Sequence, residues 1–345
     1  MQPKAYIKKV GNLLLVKEIG KGCYGRVYEA HNEKGEKFAV KTMKCSDLNP
    51  KLQAYLEKEV DAVQKLKHPH IMKLKDLLKT DSNYYLVFEF CDQGDLDGYR
   101  KLNGGCLNEF KIQYFVRQIS DAIYEINKKG FIHRDIKLPN ILLSTGVNAL
   151  PDAKIGDFGF AKLLKTTDNG DVEMSMISIN SSYVGTPLNM SPEILNKKPY
   201  NYVSDIWSLG TITYQLLTGS YPFCSLSRDQ LLLVVNKGEY KIKKTISPSP
   251  FIIDFIAKCL QYNESKRARI SKLINHPFLT CTELQLNDKG LKEELNSKMK
   301  IDGDSYILSA HEQIDYLKKD ALLEFEKLEE EKEIPVVIAG NDVYI

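Results

Sequence analysis

Three short runs that occur in a fixed order along the chain contain residue types suited to phosphate and metal chemistry. Residues 20–25 form a glycine-rich run, residues 133–140 read His-Arg-Asp-Ile-Lys-Leu-Pro-Asn, and residues 157–159 read Asp-Phe-Gly. Glycine lets a backbone approach phosphate closely, lysine binds phosphate, and carboxylate and amide oxygens suit Mg²⁺. The runs therefore contain what phosphoryl transfer from ATP needs: a backbone cradle, a base and metal ligands.

Two further runs fall at places that strengthen this interpretation. Residues 38–41 (Phe-Ala-Val-Lys) lie between the first two runs, and residues 191–193 (Ser-Pro-Glu) follow the third. Any one run could arise by chance, but all five in this order are far less expected. Over residues 12–279 the chain resembles eukaryotic protein kinases of the serine/threonine type. The resemblance implies a bilobal α+β fold, ATP and Mg²⁺ as cofactors, and protein substrates.

The glycine run has other interpretations when it is taken alone. The pattern Gly20, Gly22, Gly25 also marks dinucleotide-binding folds, which need a helix directly after the loop and an acidic residue about 20 positions on. Residues 26–30 look like a strand instead, so we expect two strands that fold over ATP with backbone N–H groups near the phosphates. A plain hairpin turn remains the alternative for this run in isolation.

Lys41 ends a short apolar strand, where a lysine needs an anionic partner to be more than a solvated side chain. Glu59 lies between Leu56 and Val63 on the apolar stripe of the next predicted helix, where an unpaired carboxylate would be costly. By resemblance, Lys41 binds the α- and β-phosphates and pairs with Glu59. Two alternatives stay open: Glu59 could turn to the helix edge and meet water, or Glu57 could form the pair.

The run 133–140 is the most specific of the five. The resemblance implies that Asp135 accepts or orients the proton of the acceptor hydroxyl and that Lys137 steadies the transferred phosphoryl group. It also implies that Asn140 binds Mg²⁺ and braces Asp135. Lys137 together with Thr186, in the run Gly-Thr-Pro, is typical of kinases that act on serine and threonine.

Residues in and near the run 133–140, called the catalytic run below, complete the predicted site. Asp157 follows a predicted strand over residues 153–156, and by resemblance it is the main Mg²⁺ ligand. His133 follows an apolar pair and is expected to be a packed core residue. Leu138 stands where the commonest kinase pattern has proline, with Pro139 one position later, which could shift the loop slightly.

The hinge between the two lobes is expected to bind adenine through backbone groups from Glu89 to Cys91. By resemblance Phe88 is the gatekeeper, and Asp95 is a candidate for the ribose hydroxyls. The side chains expected to enclose the adenine ring are apolar: Val27, Ala39 and Leu142.

Arg134 beside Asp135 indicates control by phosphorylation, because a buried arginine at that place seeks an anion. The segment from residue 157 to 193 is rich in serine and threonine, and Ser182 is the preferred phosphosite, ahead of Ser181 and Ser178. The alternative is that these serines only keep the segment soluble.

Glu193 is expected to form a structural ion pair with a distant arginine. Arg267 and Arg269 are the candidates, and Arg267 has the better spacing before residues 276–278 (His-Pro-Phe).

The elements that would position these residues form two groups. Residues 12–42 and 84–90 read as strands with one helix between them, which predicts an N-lobe over about 12–90. Residues 89–94 form the hinge, and a mainly helical C-lobe follows over about 95–279. Its first long helix has an apolar stripe with a glycine cap: Ile112, Phe115, Ile119, Ile123, Ile126 and Gly130. A cleft between two lobes is a usual place for a nucleotide.

Residues 280–345 depart from the kinase pattern and form a C-terminal extension. We expect an amphipathic acidic helix over about 310–333, beside the acidic run 329–331. Its apolar stripe is Ile314, Leu317, Ala321, Phe325 and Leu328. This helix could dock on the C-lobe of the same chain or bind a partner helix, and self-docking is favoured because a free apolar face would be sticky.

Composition excludes several classes of protein. The net charge of +3 comes from 48 basic and 45 acidic residues, so no nucleic-acid surface is indicated. No apolar run approaches the ~18 residues of a transmembrane helix, and the first residues do not resemble a signal peptide or a myristoylation site. The seven cysteines lack a Cys-x-x-Cys pair. We therefore expect a reducing compartment, the cytoplasm or alternatively the nucleus.

Within the kinases, three stretches resemble the ULK/Atg1 group of autophagy-initiating kinases: residues 155–162, 185–193 and 204–211. The resemblance implies a signalling role, with autophagy as an analogy only. The rival hypothesis is a pseudokinase, an ATP-binding scaffold without turnover. Such proteins usually lose the lysine, the base or the metal-binding aspartate, whereas Lys41, Asp135 and Asp157 are all present here.

Overall fold

The computed structural model describes residues 6–22, 25–47, 60, 63–64, 66–147, 149–157, 162–163, 165–166, 172–173 and 187–312. Within them an antiparallel sheet precedes a mainly helical region, which confirms the bilobal α+β fold. None of the helices in these segments is long and apolar enough to cross a membrane.

One antiparallel sheet forms the N-lobe. Its strands are β1 (Lys8–Val10), β2 (Leu13–Gly22), β3 (Gly25–His31), β4 (Lys37–Lys44), β5 (Leu74–Lys79) and β6 (Asn83–Glu89), in the order β1-β2-β3-β4-β6-β5. Successive side chains of a strand point to opposite faces. Val40 of β4 packs in a small cluster on one face, whereas Ala39 belongs to the larger cluster on the other. Lys41 therefore shares the face of Ala39.

The helix predicted between β4 and β5 falls largely outside the described residues. Val63 and Leu66, which are described, are both buried, as its apolar stripe predicts. Glu57 and Glu59 lie outside the described residues, so a pair between Lys41 and Glu59 stays a prediction.

The C-lobe is built mainly from helices. They are α1 (Leu96–Leu102), α2 (Glu109–Lys128), α3 (Pro192–Leu195), α4 (Val203–Thr218), α5 (Arg228–Lys237), α6 (Pro250–Cys259), α7 (Ile270–Leu273) and α8 (Pro277–Thr280). Short strands lie among them: β7 (Phe131–Ile132), β8 (Ile141–Ser144), β9 (Asp152–Ile155), β10 (Lys162–Leu163), β11 (Lys165–Thr166), β12 (Val172–Glu173) and β13 (Glu239–Lys243). Residues 203–217 of α4 are all buried, so this helix forms the centre of the lobe.

Helix α2 confirms the predicted periodicity. The Asn108 side chain caps its start by accepting from the N–H of Lys111, and Gly130 follows its end with a positive φ of +77° that favours glycine. The whole predicted stripe is buried: Ile112, Phe115, Ile119, Ile123 and Ile126.

Residues 280–312 continue the C-lobe beyond the predicted boundary. They form α9 (Glu283–Leu286), α10 (Lys289–Lys298), β14 (Lys300–Asp302) and β15 (Ser305–Ser309). Strand β15 pairs with both β13 and β14. Four apolar residues of this small sheet are buried: Tyr240, Ile242, Tyr306 and Leu308.

The first three residues of the helix predicted over about 310–333 are described. Residues 310–312 are non-helical, because the backbone of Ala310 bonds elsewhere: its N–H donates to Gly238, and its carbonyl accepts from Tyr262. Residues 313–345 lie outside the described residues.

Candidate active site

The glycine run forms the tip of the hairpin between β2 and β3. Gly20 pairs with Val27 and Gly22 with Gly25, so a strand follows the loop and the helix of a dinucleotide-binding fold does not. A Cβ on Gly25 would lie 1.6 Å from the carbonyl oxygen of Thr42, so only glycine fits there. The two-strand interpretation of this run is confirmed.

Lys41 contacts Asp157 across the cleft. Lys41 lies in β4 between Val27 of β3 and Leu86 of β6, and its Nζ is 2.6 Å from Asp157 Oδ1. The two side chains are 13% and 38% exposed, so water screens their attraction only in part. The described partner of Lys41 is thus Asp157, and the predicted partner, Glu59, is outside the described residues.

Two side chains converge on the carboxylate of Asp135. Lys137 Nζ and Asn140 Nδ2 each lie 2.8 Å from Asp135 Oδ2, and Asn140 Nδ2 also donates to the Asp135 carbonyl at 2.8 Å. Asn140 is buried, whereas Asp135 and Lys137 are 27% and 40% exposed. The carboxylate is therefore held from the protein side and open to a hydroxyl from the solvent side.

The departure from the usual pattern at Leu138 leaves this geometry intact. Leu138–Asn140 form a single 3₁₀ turn in which Leu138 is fully buried and Pro139 is exposed. Proline is tolerated in the first turn of a helix, where its missing N–H has no partner to lose. The turn therefore keeps the spacing of Asp135 and Asn140.

Asp205 of α4 holds the catalytic run from beneath, a role that the sequence interpretation did not assign. It is fully buried, and its two oxygens accept the backbone N–H groups of His133 and Arg134, both at 2.8 Å. Burial raises the pKa of Asp205, while the neighbouring His133 and the two N–H donors oppose that rise. The available signal was a carboxylate in an otherwise apolar helix, which requires buried hydrogen-bond partners.

His133 is a core residue, as expected. Its ring is fully buried, and Nε2 lies 2.9 Å from the carbonyl oxygen of Gly156. The contact ties the catalytic run to the segment that carries Asp157.

Gly156 fits closely behind the predicted metal ligand. A Cβ there would lie 3.1 Å from the sulfur of Met72 and 3.2 Å from Leu142 Cδ1, and its N–H donates to the Asn140 carbonyl at 2.8 Å. Asp157 itself has a φ of +56°, which is unusual for a residue other than glycine. The backbone thus fixes Asp157 beside the catalytic run.

These residues fit an ATP–Mg²⁺ complex. The carboxylate of Asp157 and the amide oxygen of Asn140 are hard oxygen ligands of the kind that Mg²⁺ prefers. The Lys41 ammonium already contacts an anionic oxygen and could equally contact phosphate. Gly20, Gly22 and Gly25 carry no side chain that would keep phosphate away from the backbone of this run.

The apolar residues predicted to enclose adenine are part of the main hydrophobic core or pack against it. Ala39 and Phe88 belong to it, while Val27 and Leu142 pack against it. Phe88 pairs with Ala39 in the sheet and is buried. The residues predicted to enclose adenine therefore all belong to or pack against this core, and their contact with adenine stays a prediction.

The hinge side chains have structural roles of their own. The Glu89 carboxylate accepts the N–H of Lys73 at 2.7 Å and lies 3.3 Å from Lys154 Nζ, and the Glu89 N–H donates to the Lys73 carbonyl at 3.1 Å. Contact between the hinge backbone and adenine stays a prediction. Burial raises the pKa of Cys91 to about 12, which keeps this thiol protonated and unreactive.

Asp95 caps helix α1. Its Oδ1 accepts the N–H of Gly98 at 2.8 Å, and its backbone forms a bridge with Leu142. This cap explains an aspartate at the position without a ligand, so contact with ribose stays a prediction.

Arg134 has unused hydrogen-bonding capacity. Its φ is +68°, its Nη1 donates to the Tyr200 hydroxyl at 3.1 Å, and its Nε is buried without a partner among the described residues. An arginine in this state can bind an anion. Ser182, the predicted phosphosite, and Thr186 both lie outside the described residues.

Glu193 pairs with Arg267, the preferred of its two predicted partners. The contacts are bidentate, at 2.6 and 3.0 Å, and Ser204 Oγ donates to Glu193 at 2.7 Å. Burial acts to raise the pKa of Glu193, but Arg267 and Ser204 outweigh it and hold the pKa below its usual value. The Arg267 guanidinium also lies over the Trp207 ring at 5.3 Å.

Comparisons with known proteins agree with this geometry. The family model for the protein kinase domain matches residues 13–279. Serine/threonine-protein kinase ATG1c of Arabidopsis thaliana is 34% identical over 79% of this chain and 36% of its own length. Serine/threonine-protein kinase atg1 of Aspergillus clavatus is 33% identical over 79% of this chain and 34% of its own length. Serine/threonine-protein kinase ATG1 of Debaryomyces hansenii is 31% identical over 83% of this chain and 36% of its own length.

The aligned part of the chain spans about a third of the length of these curated relatives. The family match, in contrast, extends from β2 to α8 and includes every motif from the glycine run to the Glu193–Arg267 pair. The chain therefore belongs to the protein kinase family.

Proposed function

We propose that this chain is a Mg²⁺-dependent serine/threonine protein kinase that transfers the γ-phosphate of ATP to hydroxyl groups of proteins. The observation that carries the proposal is the convergence of Lys137 and Asn140 on Asp135 Oδ2, each at 2.8 Å. The relatives are named serine/threonine-protein kinases, which supports the same reaction. Nothing in the described fold or the comparisons favours a scaffold without turnover.

The catalytic run supplies the base. The acceptor hydroxyl oxygen attacks the γ-phosphorus, the bond from that phosphorus to the β–γ bridging oxygen breaks, and Asp135 accepts the hydroxyl proton. The Asn140 amide keeps Asp135 Oδ2 in place throughout. Lys137, which contacts the same oxygen, offsets negative charge on the transferred phosphoryl group.

The opposite side of the cleft holds the nucleotide. Asp157 and Asn140 would hold Mg²⁺, which when bound neutralises charge on the phosphate oxygens. Lys41 would exchange its contact with Asp157 for the α- and β-phosphates, beneath the backbone of the glycine run. Val27, Ala39 and Leu142 would enclose adenine.

We propose autophagy-related signalling in the cytoplasm as the biological role, with the nucleus as a second compartment. The support is the similarity to proteins named ATG1 and the stretches shared with the ULK/Atg1 group. Lys137 and Thr186 favour serine and threonine acceptors over tyrosine.

Transfer of labelled phosphate from ATP to a generic protein substrate tests the reaction. We expect activity that requires Mg²⁺ and falls by a factor of about 100 or more in Asp157→Ala, because a metal ligand supplies several kcal/mol to the transition state. Asp76→Ala, which changes an exposed aspartate of β5, is the matched control and should retain activity. Equal activity in the wild type and Asp157→Ala would refute the assignment.

Phosphorylation of Ser182 is proposed to activate the enzyme through Arg134, whose Nε lacks a partner among the described residues. We expect Ser182→Ala to lower peptide kinase activity several-fold, since Arg134 then has no phosphate to bind. Ser82→Ala, at an exposed position outside the segment 157–193, is the control and should leave activity unchanged. If fully dephosphorylated wild-type protein is as active as the phosphorylated form, this regulation does not exist.

A further inference from the structure

Asn189 connects helix α4 to the middle of the catalytic run. Its Nδ2 donates to the carbonyl oxygen of Ile136 at 3.2 Å, and its own carbonyl accepts from Ser208 Oγ of α4 at 2.9 Å. Ile136 is fully buried and lies between Asp135 and Lys137. A side chain from outside the catalytic run therefore holds the backbone between the proposed base and the lysine beside it.

The Asn189 amide is only partly satisfied. The Ile136 carbonyl orients it, because a carbonyl oxygen accepts and Nδ2 is the end of the amide that donates. Its Oδ1 is buried and has no hydrogen-bond partner among the described residues. An unpaired buried acceptor costs more than a typical hydrogen bond contributes, so this amide gives the fold little net stability. Its contact with the catalytic run explains the asparagine better.

Helix α4 supports the catalytic run at two points. Asp205 holds the start of the run by accepting two of its backbone N–H groups. Ser208, three residues on, lies on the same face of the helix and is joined to Ile136 through Asn189. Residues 203–217 of this helix are all buried, so both supports rest on the packed centre of the lobe.

We propose that Asn189 is a positioning residue for phosphoryl transfer, an inference that rests on the proposed kinase function. The Ile136 carbonyl belongs to the peptide group that leads into Lys137, and Lys137 Nζ lies 2.8 Å from Asp135 Oδ2. Because Asn189 holds that peptide group, the ammonium and the carboxylate keep their relative placement. Without the contact the peptide group can rotate, and the lysine leaves the position that transfer requires.

The kinetics of Asn189→Leu test the proposal, because leucine keeps about the size of the side chain and removes the amide. We expect kcat for a peptide substrate to fall by a factor of about ten, while KM for ATP stays within a factor of about two, since only the catalytic run is displaced. The urea midpoint should change little, because one unpaired acceptor is removed and another, the Ile136 carbonyl, replaces it. A lower kcat at unchanged stability separates positioning from a merely structural role.

Asn127→Leu is the matched control. Asn127 of α2 makes the same kind of bond, from Nδ2 to the Phe131 carbonyl at 3.2 Å, and its Oδ1 is also buried without a partner among the described residues. Both ends of this bond precede the catalytic run, so the variant should leave kcat unchanged. If Asn189→Leu does not fold, Ser208→Ala replaces it. That variant removes the hydrogen bond to the Asn189 carbonyl, and kcat should again fall.

Hydrogen–deuterium exchange of peptides within residues 135–142 gives a readout that needs no activity. Exchange should be several-fold faster in Asn189→Leu than in the wild type and unchanged in Asn127→Leu. A wild-type kcat in Asn189→Leu would overturn the proposal, and so would an equal loss of kcat in the two leucine variants. A wild type that transfers no phosphate would refute the proposed function instead. In that case unchanged exchange in Asn189→Leu would show that Asn189 does not hold the catalytic run.

Discussion

At the scale of single residues, we expect the stability of the C-lobe to depend on the buried Glu193–Arg267 ion pair. Arg267→Ala leaves the Glu193 carboxylate without its cation in the interior, so we expect a loss of about 3–5 kcal/mol in the free energy of unfolding. Urea titration measures this. The control is Arg26→Ala, which removes a solvent-exposed pair with Glu18 and should change stability little. Equal losses in the two variants would contradict the burial argument.

His276 makes the stability of the C-lobe depend on pH. Its Nδ1 accepts the N–H of Phe278 at 3.1 Å, so Nε2 carries the proton that it donates to Asp254 at 2.8 Å. Protonation would place a second N–H against that of Phe278. Burial, which disfavours the charged ring, lowers the pKa of His276, although the hydrogen bond and charge of Asp254 oppose this shift.

The sign of the pH effect follows from this lowered pKa. As pH falls below about 6.5, the unfolded state takes up the proton before the folded state does, so the folded state loses stability. The loss is at most about 1.4 kcal/mol per pH unit. The difference between the urea midpoints at about pH 7.5 and 5.5 should be smaller in His276→Gln than in the wild type. Burial also lowers the pKa of His68, but His68 is present in both proteins, so its contribution cancels in the comparison. An identical difference in the two proteins would exclude His276 as the cause.

Local spacing explains which site residues could be predicted. Asp135, Lys137 and Asn140 lie within one short run, and the structure brings them together as that spacing implies. Asp205 and Tyr200 contact the same run from 72 and 66 residues away, and no sequence pattern connects them to it. Contacts of this kind depend on how α4 and the residues before it pack against the catalytic run. That packing is a tertiary arrangement, which the local sequence pattern does not specify.

At the scale of elements, the pairing of β15 with β13 makes the extension part of the C-lobe. Tyr306 and Leu308 are 4% and 1% exposed, and a buried side chain of this size contributes about 1.5–3 kcal/mol. A chain that ends at Met299 should therefore unfold at a clearly lower temperature than one that ends at Glu312. Scanning calorimetry compares the two truncations, and equal melting temperatures would show that β14 and β15 add nothing to the lobe.

The same sheet shows why some elements escaped prediction. Helix α2 has a long apolar stripe with a cap at its start, so periodicity alone predicts it. Strand β15 has five residues, and its partner β13 lies more than 60 positions earlier, so its pairing depends on non-local packing. Residues 310–312, at the start of the helix predicted over about 310–333, are non-helical for the same reason: backbone bonds to Gly238 and Tyr262 decide the local conformation.

At the scale of the whole molecule, two of the contacts that join the lobes within the described residues differ in kind. Strand β9 is joined to the N-lobe by two backbone hydrogen bonds. The Met72 N–H donates to the Ile155 carbonyl at 2.9 Å, and the Ile155 N–H donates to the His70 carbonyl at 2.8 Å. The Lys41–Asp157 pair differs, because both side chains have proposed roles toward ATP–Mg²⁺. In that proposal each would exchange the other for phosphate or metal. Nucleotide binding should therefore couple to the metal through Asp157.

Asp157→Asn tests this coupling, because it keeps the shape of the side chain but weakens a metal ligand. In the wild type, ADP should raise the free energy of unfolding and Mg²⁺ should raise it further, with a total of about 2.7 kcal/mol when the ligand is at 100 times its Kd. In the variant, ADP alone should raise the free energy of unfolding by at least as much as in the wild type, because Lys41 is released from its anionic partner. Mg²⁺ should add no further increase in the variant. Asp304→Asn, at an exposed turn, controls for loss of a carboxylate. An equal Mg²⁺ increment in Asp157→Asn and the wild type would mean that the metal is held by other residues.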